Sequence, residues 1–225
     1  MKLFLIRHGE SIQDTKENYE LNLPDHKVYL TDNGKNQAHL TGRFLKLYTE
    51  SRDIDLNKSI LFVSPFERTR KTAEIINKYL KINKVKEDIT LIEQQYGLFS
   101  DKSIDDIKKM YPDQFAFYDN YYQNDGQFYA KFPQGESPFD VALRTRIFIN
   151  SLEKLKEENF FVVSHGTTIR TIIMNLNNYP PEWFNSEPNM KNCSVRLIDD
   201  NTSGEYICGG PVNKIKTYYK RKKIY

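Results

Sequence analysis

The chain has 225 residues, 39% of them hydrophobic and 28% charged, enough to bury one sizeable core and short for two. Its formal net charge of +3 arises at the end, where Lys214, Lys216, Lys220, Arg221, Lys222 and Lys223 stand without an acid; the other 27 basic residues face 30 acidic ones. The body is therefore mildly acidic, no nucleic-acid partner is expected, and the tail, which could touch anionic lipid or nucleic acid, is read as a solvated terminus.

Two cysteines, Cys193 and Cys208, make no disulfide framework in a chain of this size, so a reducing, cytoplasmic location is expected. The apolar start ends at Arg7 after four residues and lacks a small-residue cleavage site, so it is not a signal peptide. No run is long enough to insert in a membrane.

In chain order, Leu3 to Ile6 is a solid apolar run of the kind that forms a strand buried on both faces, and it delivers Arg7-His8-Gly9 to the strand's carboxyl end. Leu40, Phe44, Leu45 and Tyr48 give one face of a helix. A second strand, Ile60 to Val63, ends in Ser64-Pro65-Phe66-Glu67-Arg68. There Ser64 is expected as N-cap, Pro65 in the first helical position and Glu67 closing a capping box, with Arg68 in the first turn and Ala73, Ile76 and Leu80 on the buried face.

The stretch from Gly97 to Ser137 interrupts this alternation without a strong strand. Nine of the chain's 30 aromatic residues fall between Tyr111 and Phe132. Most of them are expected to form a satellite core, and Gly126 and Gly135 could hinge a lid. Ser137-Pro138 then starts a helix carried by Val141, Phe148, Leu152 and Leu155, and the strand Phe160 to Val163 leads into Ser164-His165-Gly166 and another helical pattern.

Strands separated by helices imply a three-layer α/β sandwich with a mostly parallel central sheet, plus an aromatic-rich lid insertion. The expected organisation is a single domain over 1–213, with the insertion at about 97–137, and a basic tail over 214–225.

The polar residues at the strand ends suit phosphoryl transfer. Arginine forks bind a phosphoryl group bidentately, so Arg7 and Arg68 together would hold and neutralise one. A neutral histidine with a fixed tautomer can attack phosphorus, and a second, protonated one can stabilise the equatorial oxygens. A protonated carboxyl, with Glu93 as candidate, can donate to the leaving oxygen. His8 and His165 lack a third ligand at metal spacing, no metal or other cofactor is expected, and there is no Walker A loop. His26 and His39 are assigned no role.

Four segments in order, Arg7-His8-Gly9-Glu10-Ser11, Leu30-Thr31-x-x-Gly34-x-x-Gln37-Ala38, Ser64-Pro65-x-x-Arg68-x-x-x-Thr72-Ala73 and Ser164-His165-Gly166, resemble the histidine phosphatase superfamily, the phosphoglycerate mutase-like proteins. The resemblance implies that His8 is the nucleophile forming a phosphohistidine and that Arg7, Arg68 and His165 complete the phosphate pocket. Glu93, in a Glu-x-x-Tyr-Gly segment with Tyr96, is similar in position to the family's proton donor; Glu10 is a rival acid that better suits orienting the pocket. Ser11 and the backbone amide of Gly166 could add donors to the phosphate.

Two positions depart from the family. Six residues after the nucleophile many members carry an Asn that bonds phosphate, and here Asp14 would repel a phosphate unless protonated or turned elsewhere. After Glu93, where glycolytic mutases carry an arginine, this chain has Gln94, and Gly97 to Ser137 contains no arginine. Both features favour a phosphatase over a mutase. The segments Phe128 to Ser137 and Pro188 to Ser194 resemble a plant, fungal and bacterial branch of mutase-like proteins, which adds Tyr129 and Lys131 as substrate contacts.

The expected function is therefore a metal-independent phosphomonoester hydrolase acting on a small phosphorylated metabolite. The alternatives are phosphoglycerate mutase activity and a non-catalytic phosphate-binding scaffold. Oligomeric state is left open, a homodimer among the options.

Overall fold

The computed structural model describes residues 1–15 and 23–210. The basic tail 214–225 lies outside these residues. Six strands form one mixed sheet: β1 (Lys2–Arg7), β2 (Ser59–Val63), β3 (Lys84–Glu87), β4 (Asn159–Ser164), β5 (Val195–Ile198) and β6 (Ser203–Cys208), in the order β3-β2-β4-β1-β5-β6. The first four in that order run parallel, while β5 and β6 pair antiparallel.

The three apolar runs become β1, β2 and β4 at the centre, each buried along nearly its whole length. Because side chains alternate across a strand, Leu3, Leu5, Ile60, Phe62, Phe160 and Val162 join one core. Phe4, Ile6, Leu61, Val63, Phe161 and Val163 join the other. The first core is closed by α5 (Pro138–Leu152) and α6 (Gly166–Asn177), the second by α1 (Asp32–Glu50) and α2 (Glu67–Leu80). This is the expected three-layer sandwich. The strand β3 escaped the sequence pattern because Lys-Val-Lys-Glu is exposed throughout, the charged edge that keeps a sheet from pairing further.

Three local expectations change. Helix α2 begins at Glu67 with Phe66 as N-cap and no side-chain cap, because the Ser64 hydroxyl is bonded to His165 instead. Leu40 is exposed: α1 buries Gly34, Ala38, Thr41, Gly42, Leu45 and Thr49. Two positions from Ala38 or Gly42 turn a side chain by about 200°, to the opposite face. The Ser137-Pro138 start does hold, with a reciprocal capping box between Ser137 and Asp140.

The Gly97–Ser137 stretch contains two helices, α3 (Ile104–Met110) and α4 (Pro112–Asp125), and α4 buries no residue. Its aromatics divide. Phe128 is in the main core; Phe115, Tyr118 and Phe132 pack around Phe99; Phe117, Tyr121, Tyr122 and Tyr129 are exposed. A satellite core thus takes only part of the set. Gly135 is clamped rather than hinged: a Cβ there would run into the Gln95 carbonyl and the Gly97 amide. After α6 comes the short α7 (Pro181–Ser186), whose Trp183 and Phe184 close one end of the first core.

Candidate active site

Strands β1 and β4 lie side by side with Arg7 opposite Ser164, so the next residue of each, His8 and His165, emerge together at the carboxyl ends. Their ring centroids are 5.2 Å apart. The turn after β1 is pinned from two helices. Gly9 N donates to Thr72 Oγ1 at 3.0 Å and Glu10 N to Gln37 Oε1 at 2.9 Å, while Gly9 and Gly34 approach so closely that a Cβ on either would collide with the other strand of backbone. This accounts for the Gly34, Gln37 and Thr72 spacing in the sequence: those residues hold the loop that carries His8. The Cys193 amide adds bonds to the carbonyls of Arg7 and His8, both at 3.1 Å.

His8 Nδ1 lies 2.8 Å from the Gly9 carbonyl. A carbonyl only accepts, so Nδ1 carries the hydrogen and Nε2 keeps its lone pair. Burial, followed by Arg68 and Arg7, lowers the His8 pKa to about 3, which keeps the ring neutral. His165 Nε2 meets Ser64 Oγ at 2.8 Å, and its buried Nδ1 has no partner among the described residues. Burial and then Arg68 push its pKa well below the ordinary imidazole value. The expectation of a protonated second histidine is therefore corrected. His165 is neutral, and the tautomer in which Ser64 donates to Nε2 places the ring hydrogen on Nδ1, as a neutral donor.

Each arginine comes with a carboxylate. Arg7 donates from Nη1 to the Met190 carbonyl and from Nη2 to Asp14 Oδ1 at 2.9 Å, leaving Nε buried with no partner among the described residues. Arg68, almost fully buried, donates from Nη1 to both the carbonyl and Oδ1 of Asp25, each at 2.7 Å. Asp14 Oδ2 accepts from Ser11 N at 2.8 Å, Ser11 Oγ at 2.7 Å and Asn192 Nδ2 at 3.2 Å. The Ser11 hydroxyl is thus engaged by Asp14. Although burial raises the Asp14 pKa, the two Ser11 bonds and Arg7 leave it below the usual carboxylate value.

Glu93 sits over the start of α6, whose first residue is the buried Gly166. It accepts from Gln94 N at 2.9 Å and from the Thr167 and Thr168 amides at 3.4 Å each, donors that favour an anion at a helix N-terminus. The Tyr96 hydroxyl bonds Thr167, and burial and Glu93 push its pKa up. Gln94 points into the fold, donating to the Glu136 carbonyl, and Glu136 is gripped by Arg144 through both carboxylate oxygens.

Two candidates stand elsewhere. Lys131 is exposed and paired with Asp140 at 3.2 Å, and Tyr129 packs against Phe128 and Phe139. Neither has a bond or ring contact to the His8 group among the described residues. Glu10 turns toward α1, accepting from Thr31 Oγ1 and Asn33 Nδ2.

Sequence reasoning missed Asp25 and Arg144, which lie outside the motifs, and Asn192, whose segment resembled the family but was given no role for it. It misassigned Ser64, whose Ser-Pro context reads as a cap. Among the described residues no group of three His, Cys, Asp or Glu is gathered for a metal ion.

A sheet whose strand ends gather two histidines and two arginines defines an α/β protein built to receive a phosphoryl group. The chain belongs to the histidine phosphatase superfamily (branch 1), whose family model matches residues 3–207. It is 30% identical over 220 residues to the phosphoglycerate mutase-like protein AT74 of Arabidopsis thaliana, covering 91% of this chain and 66% of that protein, so it spans just under two thirds of that relative's length. It is 29% identical over 174 residues to phosphoserine phosphatase 1 of Hydrogenobacter thermophilus, covering 76% of this chain and 74% of that one. In structure it resembles Bacillus stearothermophilus YhfR with a TM-score of 0.69 and 25% identity, covering 94% and 98% of the two chains.

Proposed function

We propose that this chain hydrolyses the phosphomonoester of a small metabolite through a phosphohistidine on His8, without a metal. One observation carries the reading: His8 is buried and neutral, its tautomer is fixed by the Gly9 carbonyl, and Nε2 is left for attack beside two arginines and His165, whose Nδ1 has no partner among the described residues.

Arg7 and Arg68 orient the phosphoryl group and take up its charge, which is most of what this reaction requires. His8 Nε2 forms a bond to phosphorus as the bond to the leaving oxygen breaks, and Glu93 gives that oxygen its proton. The amides of Gln94, Thr167 and Thr168 then stabilise the carboxylate left behind. Glu93 next takes a proton from the water that attacks phosphorus, and the N–P bond breaks. Tyr96 and the Gly166 amide border this space as substrate contacts; Tyr129 and Lys131 belong to it only if the 97–137 segment closes over His8 as a lid.

The phosphatase reading is favoured over the mutase because Gln94 is turned into the fold and the 97–137 segment holds no arginine. Among the described residues no helix is long and apolar enough to cross a membrane. A single domain over 1–213, a cytoplasmic location and the absence of a nucleic-acid partner complete the proposal; the unpaired thiols of Cys193 and Cys208 suit a reducing location.

The test is a screen over sugar phosphates, phosphoglycerates, nucleotides and phosphopeptides, with mutase activity assayed in parallel. His8→Ala should abolish turnover and the acid-labile phosphoryl label on the protein. Retained turnover in that variant would refute the mechanism.

A further inference from the structure

Both pocket arginines are already matched by carboxylates of this chain: Arg7 by Asp14 and Arg68 by Asp25. Two positive charges face two negative ones, and the histidines between them are neutral. A phosphomonoester dianion entering such a pocket meets no net attraction, whereas a monoanion brings one negative charge fewer and a P–OH donor. The oxygens of Asp14 are unequal in this respect. Oδ2 already accepts three bonds, from Ser11 N, Ser11 Oγ and Asn192 Nδ2. Oδ1 has one donor among the described residues, the same Arg7 that faces the phosphoryl group.

We propose that Asp14 makes the site selective for the phosphomonoester monoanion, Oδ1 accepting the P–OH hydrogen while Arg7 holds a neighbouring phosphoryl oxygen. The selectivity rests on the hydrolytic reading above. As the His8 Nε2–P bond forms, the bond to the leaving oxygen breaks, that oxygen takes the Glu93 proton, and the P–OH hydrogen stays with phosphorus. Water then attacks phosphorus, gives one proton to Glu93 and releases dihydrogen phosphate and neutral His8. The charged and titratable groups facing this chemistry are Arg7 and His8 after β1, Arg68 of α2 with its partner Asp25, His165 after β4, Glu93 lying over the start of α6 with Tyr96 and Arg170 beside it, and Arg144 of α5, which is paired with Glu136. Asn192, in the segment before β5, is uncharged. Because neither histidine titrates near neutrality, the alkaline limb of kcat/KM is left to the substrate's own ionisation.

Phenyl phosphate reads that limb directly, since its leaving group needs little help from Glu93. Phosphomonoesters lose their second proton near pH ~6, so wild-type kcat/KM should fall about fifty-fold from pH 6 to pH 8 as the monoanion fraction drops. Asp14→Asn keeps the shape of the side chain, and the fall should shrink to about fivefold or less, with thermal unfolding showing that the variant is folded. A second measurement uses wild-type protein alone. Of a benzylphosphonate and its difluoro analogue, the difluoro compound, more fully dianionic at pH 7, should be the weaker competitive inhibitor. The same alkaline limb in both proteins, or a difluoro inhibitor that binds as well or better, would overturn the role of Asp14 while leaving the hydrolase standing. Absence of any turnover and of any label on His8 in the wild type would sink both.

Discussion

At the scale of single residues, the site works by fixing tautomers and counter-charges. His8 owes its available Nε2 to one backbone carbonyl, and His165 is anchored through Nε2 by one serine hydroxyl. Glu93 differs from both in being held only by donors. Glu93→Gln keeps the shape and removes the transferable proton. Hydrolysis of an alkyl phosphate should fall by about 10²- to 10⁴-fold, the usual worth of general acid catalysis, while an aryl phosphate loses about tenfold or less. Equal losses on the two substrates would move the acid role to another residue. Arg7, His8, Arg68 and His165 were legible in the sequence because each directly follows, or stands within a few residues of, an apolar run. Their partners were not. Asp25 comes from a loop with no pattern of its own, and Asn192 approaches from 178 positions beyond Asp14; only folding brings either to its arginine or carboxylate.

At the scale of elements, the loop after β1 is held by close backbone packing against the first turn of α1. Glycine at position 34 serves that approach, since a Cβ there would strike the Glu10 backbone. An ordinary helical Gly→Ala change stabilises by roughly 1 kcal/mol, but overpacking costs about 1 to 3 kcal/mol. Gly34→Ala should therefore lower the unfolding temperature and, by shifting the His8 loop, reduce kcat/KM by at least about tenfold. A rise in unfolding temperature with unchanged kinetics would show that the two backbones are not in contact. The central strands and α5 were readable from apolar runs and a cap. The N-terminus of α2 was misread because Ser64 has two competing uses, and the buried histidine takes precedence over the cap: an unsatisfied buried polar atom costs about 1 to 3 kcal/mol, a lost cap about 1.

At the scale of the whole molecule, gathering these groups in the interior ties stability to pH. Unfolded, His8 titrates near the ordinary imidazole value of about 6.5; folded, it titrates at about 3. Between those values the unfolded chain binds a proton that the folded one refuses, so stability is lost as pH falls from about 6.5 toward 3. His165 acts in the same direction, and Asp14, whose pKa is depressed, adds a loss once pH drops below the ordinary carboxylate range. Urea unfolding should show this decline, with a shallower slope for His8→Gln over the same window; identical slopes would mean that His8 is not buried neutral. The sequence by itself determined the layered α/β class, the central strands and the identity of the chemical groups, because apolar runs and motif spacing are local properties of a chain. Only the tertiary structure decided which hydrogen each imidazole keeps, that both arginines are balanced by carboxylates, and that Asp14 faces Arg7. Those depend on distances between segments far apart in sequence, set by the packing of β1, β4 and the helices around them.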